Sequence, residues 1–159
     1  MHTYATVQEF ARFETVTFYT LKSEDATLSE MDDFLARMEQ EPAYRDQLEY
    51  LVNWLELIGN NKKGAIFDLF RQERNCIALP PKGKYLETAI DLRLYCHYIS
   101  ENVVILYNGG IKTAQTAQDC PNVSRHFYNA QIWTKQLMEI GIETNGPVIT
   151  NIEELYIKY

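Results

Sequence analysis

Ile90-Asp91-Leu92-Arg93-Leu94-Tyr95-Cys96-His97-Tyr98-Ile99, followed by Ser100-Glu101-Asn102 and Val103-Val104-Ile105-Leu106-Tyr107, is the stretch on which the fold class turns. The first segment alternates in polarity and the last is a continuous apolar run, with a polar triplet between them. The pattern predicts a β-hairpin whose return strand is buried. Asn108-Gly109-Gly110 is expected to break that strand and lead into a loop, Ile111 to Cys120. Pro121 suits the first turn of a helix that runs to about Ile140, where Gly141 stops it.

Working upstream, Cys76-Ile77-Ala78-Leu79 reads as a short strand halted by Pro80-Pro81. Ala65 to Phe70 fits a short strand or one helical turn, since periodicity does not separate them at this length. Phe13 to Leu21 is rich in β-branched and aromatic residues and reads as the first strand. Thr27 and Glu30 fit a capping box for a helix over about 28–41. Pro42 opens a second helix whose stripe is Tyr44, Leu48, Leu51, Val52, Leu55 and Ile58, ended by Gly59. Residues 147–159 suit either a short helix after Asn151 or an edge strand. The expectation is one α+β domain over residues 1–159: a mainly antiparallel sheet with an N-terminal helical hairpin and a C-terminal helix, in the order β-α-α-β-β-β-α, the helices covering one face.

Composition narrows the classes. With 46% apolar residues, 11 Tyr, 7 Phe and 2 Trp, the chain needs a core, which excludes a disordered protein. No apolar run approaches the ~18–20 residues of a membrane span. The N-terminal residues lack the basic start and apolar stretch of a secretory signal, so a cytoplasmic location is expected. Cys76, Cys96 and Cys120 are odd in number and form no CxxC, which argues for reduced structural thiols rather than disulfides or zinc. No His/Cys/Asp cluster has ligand spacing, so no metal and no organic cofactor is expected. The net charge of −7 is uneven: residues 1–61 carry −8, residues 62–125 carry +3 and the remainder −2. A polyanion would therefore meet the middle third.

Alternation splits the strand 92–99 into a core face, with Leu92, Leu94, Cys96 and Tyr98, and a second face, with Arg93, Tyr95, His97 and Ile99. Same-face neighbours lie about 7 Å apart, a spacing that suits successive phosphates and equally suits a solvated sheet face. Beyond the return strand, Gly109-Gly110-Ile111-Lys112 offers close backbone approach and then an ammonium group. It is no Walker loop, and no GxGxxG dinucleotide fingerprint occurs.

Leu92-Arg93-Leu94-Tyr95, Val103-Val104-Ile105-Leu106-Tyr107, Gly110-Ile111-Lys112-Thr113-Ala114-Gln115-Thr116 and the following helix with Ala130 resemble the C-terminal half of the RelE/HigB-type toxins of bacterial toxin–antitoxin modules, in the RelE/ParE superfamily. The resemblance covers about residues 64–140. It implies a RelE/ParE-like fold and a ribosome-dependent mRNA endonuclease, metal-independent, that sets a ribose 2′-OH against the adjacent phosphate and is neutralised by a cognate antitoxin. Carried over, Arg93 corresponds to the strand arginine that grips the scissile phosphate and Lys112 to the first lysine of the family's basic loop. Ile111-Lys112 stands where the family has two adjacent lysines. His97 and His126 are the side chains expected to titrate near neutrality and move protons. Tyr95, Gln115, Arg125, Lys82 and Lys84 are the expected RNA contacts. The implied partners are the antitoxin, the ribosome and mRNA, with no membrane. The alternative is a non-catalytic α+β module that binds a protein through its aromatic surface.

Overall fold

The computed structural model describes residues 2–81, 90–113 and 116–158. The chain begins with a β-hairpin, β1 (His2–Arg12) and β2 (Thr17–Ser23). Two helices follow, α1 (Glu30–Glu39) and, after a 3-10 turn at Pro42–Tyr44, α2 (Arg45–Gly59). Next come β3 (Arg71–Glu73), β4 (Cys76–Leu79), β5 (Leu92–Ser100) and β6 (Val103–Ile111), then α3 (Pro121–Ile140). A small hairpin, β7 (Thr144–Asn145) with β8 (Val148–Ile149), precedes a last strand, β9 (Glu154–Lys158).

The protein is α+β, but the expected arrangement is overturned. The helices do not form an N-terminal hairpin: a β-hairpin precedes them, and strands dominate in a seven-stranded mixed sheet of order β3-β4-β5-β6-β2-β1-β9. The order β-α-α-β-β-β-α therefore fails at both ends. β1 escapes the sequence pattern because a bulge between Glu9 and Ala11 interrupts its alternation. Ala5 and Val7 pack on one side of the sheet, whereas Phe10 and Phe13 pack on the other. The last segment is an edge strand, paired antiparallel to β1 from His2↔Lys158 to Thr6↔Glu154.

Helices cover both faces, not one. Met31, Phe34 and Met38 of α1 and Leu48, Leu51, Leu55 and Ile58 of α2 pack with Phe18, Leu92, Leu94, Cys96, Val104 and Leu106. On the opposite face Val123, Phe127, Ala130, Trp133 and Leu137 of α3 pack with Leu21, Tyr95, Val103, Ile105 and Tyr107. A sheet buried on both sides explains why β6 reads as a continuous apolar run. The β5–β6 hairpin forms as its pattern indicates, but β6 continues through Asn108, Gly109 and Gly110. A Cβ on Gly109 would stand 1.7 Å from the Arg93 carbonyl oxygen. Glycine here permits close packing of two strands rather than a turn.

The cap of α1 is Ser29 and not Thr27: its Oγ accepts from the Asp32 amide at 3.1 Å, while Ser29 itself is buried. Ser29→Ala is expected to cost about 1 kcal/mol or somewhat more. A urea midpoint unchanged from wild type would show that the cap contributes nothing.

Candidate functional site

Alternation on β5 brings Arg93, Tyr95 and His97 to the face that α3 covers, and the consequences differ for each. Tyr95 is fully buried, edge-to-face with Phe127 at 5.8 Å between ring centroids. It is a core residue, which corrects its expected role as an RNA contact. Its hydroxyl has no hydrogen-bond partner, and burial pushes its pKa well above the ordinary phenol value. His97 is half-buried, and burial pulls its pKa down to about 4. The expectation that it titrates near neutrality is therefore not met.

Arg93 sits at the end of β5, opposite Gly110. Its Nη1 donates to the carbonyls of Ile90 at 2.6 Å and Leu92 at 2.9 Å, while Nε is buried without a partner. The Lys112 amide donates to the Asp91 carbonyl at 2.8 Å, so the backbone of Lys112 lies at the same end of the β5–β6 pair as Arg93. Sequence reasoning missed a third. Arg71 on β3 pairs with Ala78, which pairs with Tyr95, so Arg71 shares the face of Arg93. Burial lowers the Arg93 pKa, and the neighbouring Arg71 charge lowers it further. The Arg71 guanidinium is held by the Pro80 carbonyl at 2.9 Å. Arg74, in the β3–β4 turn at φ 61°, places its guanidinium 5.9 Å from the Phe127 ring centroid. Glu73 lies on the same face as Arg71 by alternation. Among the described residues the ion pairs are Arg12–Glu9 and Arg37–Asp33, so neither Arg71 nor Arg93 has one. Lys82, Lys84 and Gln115 lie outside the described residues.

Arg125 and His126 do not join this cationic strand end. Phe127 of α3 faces β5, but Arg125, His126 and Asn129 line a cleft against α1 together with Glu30, Asp33, Arg37 and Asn108. The cleft encloses ≈ 460 Å³. Its position follows from topology. β2 and β6 are parallel neighbours, from Thr17↔Val103 to Thr20↔Leu106, and the chain leaves β2 for α1 on one face and β6 for α3 on the other. Crevices beyond the carboxyl ends of strands at such a divergence are where open sheets hold ligands.

The floor of the cleft is a hydrogen-bonded polar cluster. The β5–β6 register shifts between Leu94 and Cys96, leaving an extra residue on β6, and Asn108 reaches the carboxylates of α1. Its Nδ2 donates to Glu30 at 2.8 Å and Asp33 at 2.9 Å. Arg37 donates to Asp33 at 2.9 Å, to the Gly109 carbonyl at 2.7 Å and to Asn108 Oδ1. For Glu30, burial raises the pKa against the Asn108 hydrogen bond. For Asp33 burial acts the same way but is outweighed by bonds from Asn108 and Arg37, so its pKa falls below the ordinary carboxylate value. Burial, aided by Arg37 and Arg125, pulls His126 down to about 4, and its Nδ1 has no partner. His126 thus departs from its expected neutral titration, as His97 does.

The three cysteines are buried and form no disulfide, and among the described residues no group of His, Cys, Asp and Glu could hold a metal ion. No described helix is long and apolar enough to cross a membrane. No family model, curated protein or solved structure matches this chain, so the chemistry must be read from its own side chains.

Proposed function

We propose that the protein is a RelE/HigB-like toxin, an endoribonuclease that cuts mRNA on the ribosome in the cytoplasm and is held inactive by a cognate antitoxin. The observation that carries this reading is the pairing of Arg71 and Arg93 on one sheet face with no carboxylate ion pair on either. Two partly buried like charges repel, Glu73 offsets part of that repulsion, and a phosphate between them would relieve the rest. Lys112, at the same strand end, adds charge for the phosphorane-like transition state. In the step itself the 2′-oxygen gives up its proton and bonds to the adjacent phosphorus, the bond to the 5′-oxygen breaks, and that oxygen takes a proton from water, leaving a cyclic phosphate and a 5′-hydroxyl. His126 lines the α1–α3 cleft and His97 stands four residues along β5 from Arg93, so Glu73, two residues from Arg71 on β3, is the acceptor placed for the 2′-OH proton.

One observation favours the non-catalytic alternative: neither His97 nor His126 combines a working pKa with a place beside Arg93 and Lys112. Inducible expression with mapping of mRNA 5′ ends separates the two. The wild type is expected to arrest growth and cut ribosome-bound mRNA. Arg93→Ala with Lys112→Ala should lower cleavage by roughly 100-fold or more. Growth without arrest or cleavage by the folded wild-type chain would leave the binding-module reading in its place.

A further inference from the structure

We propose that the cleft between α1 and α3 is a binding site for a small zwitterion, a molecule of the α-amino acid class with an ammonium and a carboxylate a few ångströms apart. The site is separate from the cationic strand end, since neither Arg71, Arg93 nor Lys112 lines it. The inference stands whether or not the protein cleaves RNA.

The polar groups on the cleft floor are already occupied. Arg37 is bound to Asp33, Asn108 and the Gly109 carbonyl, and Asn108 spends its amide on Glu30 and Asp33. These bonds fix the floor before any ligand arrives, which lowers the ordering cost of binding. What stays available is on the walls. Glu30 Oε2 accepts from Asn108, leaving Oε1 for another donor. Arg125, on the α3 wall, is exposed and has no ion pair among the described residues.

Charge then selects the ligand. A phosphate or another simple anion would face Asp25, Glu30 and Asp33, all of which line the cleft. A simple cation would face Arg37 and Arg125 and leave the latter unanswered. A molecule carrying both signs satisfies both walls: its ammonium on Glu30 and its carboxylate on Arg125, the pairing in which arginine forms its strongest hydrogen bonds. The volume, ≈ 460 Å³, falls within the range of small-molecule sites. A continuation of ≈ 530 Å³, sharing Asp25, Glu30, Arg125 and Asn129 and reaching Thr3, Ser23 and Trp133, gives room for a side chain.

Calorimetric titration of the whole chain with the proteinogenic amino acids, each to about 10 mM, tests the proposal. The controls are butylamine, butyrate and inorganic phosphate. At least one amino acid is expected to bind saturably while the singly charged controls do not. Arg125→Gln, at an exposed position, should weaken that binding about tenfold or more without lowering the thermal midpoint. Glu30→Gln should weaken it too. Absence of binding by every amino acid, equal binding of a control, or unchanged affinity in a folded Arg125→Gln variant would overturn the site.

Discussion

Lowering the pH from 7 to about 4 is expected to strip the protein of much of its stability, because two histidines are held neutral inside it. His97 and His126 each have a folded pKa of about 4, set first by burial, against roughly 6.5 in an unfolded chain. Below 6.5 the unfolded chain takes up protons that the folded chain refuses. The stabilisation is therefore complete above that value and is lost as the pH falls toward the folded pKa. Each group can contribute up to about 3 kcal/mol, less whatever residual solvent contact removes. The pair approaches the lower end of the roughly 5–15 kcal/mol that domains possess. Asp33, with a lowered pKa, acts in the same direction at still lower pH, whereas Glu30, with a raised one, opposes the trend. Urea midpoints between pH 7 and 4.5 measure the slope. His97→Gln and His126→Gln should each remove about half of it, and an unchanged slope in the double variant would show that neither imidazole is kept unprotonated.

Gly109→Ala should be the most damaging conservative substitution in the sheet. The added Cβ would meet the Arg93 carbonyl oxygen at 1.7 Å and its carbon at 2.7 Å, and both are backbone atoms of the neighbouring strand. No side-chain rotation can relieve that overlap, so the β5–β6 ladder must open where Arg93 faces Gly110. A loss of roughly 3 kcal/mol or more is expected, at the far end of single-substitution effects. Gly141, at φ 77° after α3, has nothing within 4 Å of an added Cβ. Its replacement by alanine should cost only the backbone strain, roughly 1–2 kcal/mol. Chemical denaturation of the two variants makes the comparison, and equal losses would contradict the contact at Gly109. Because Asn108 and the Gly109 carbonyl anchor Arg37, the variant should also loosen the cleft floor.

The elements legible in the sequence are those whose pattern and punctuation agree. The β5–β6 hairpin carries alternation beside a buried run, and α3 is framed by Pro121 and Gly141. β1 was hidden by its bulge, and the parallel β2–β6 pairing has no local signature at all. Helical periodicity locates the apolar stripe of α3 but does not say which sheet face it covers, and that choice buried Tyr95. Arg93 and Lys112 are singled out by the family resemblance rather than by register, which shows β6 running on to Ile111 opposite Leu92, and Arg71 escapes notice because a three-residue strand is too short to show a period. Asn108 looked like a strand breaker. It is a buried donor because a register shift, visible only in three dimensions, aims it at α1.

The parallel seam between β2 and β6 also governs when the molecule can assemble during synthesis. Thr17 leaves the ribosome early, yet its neighbour Val103 emerges only after both intervening helices and three further strands. At typical elongation speeds the interval is on the order of ten seconds. Throughout it, the inward sides of the first hairpin and helices have no sheet to rest on. The nascent chain is thus a natural client for a holding chaperone, and slower translation across residues 62–102 would lengthen its exposure to aggregation.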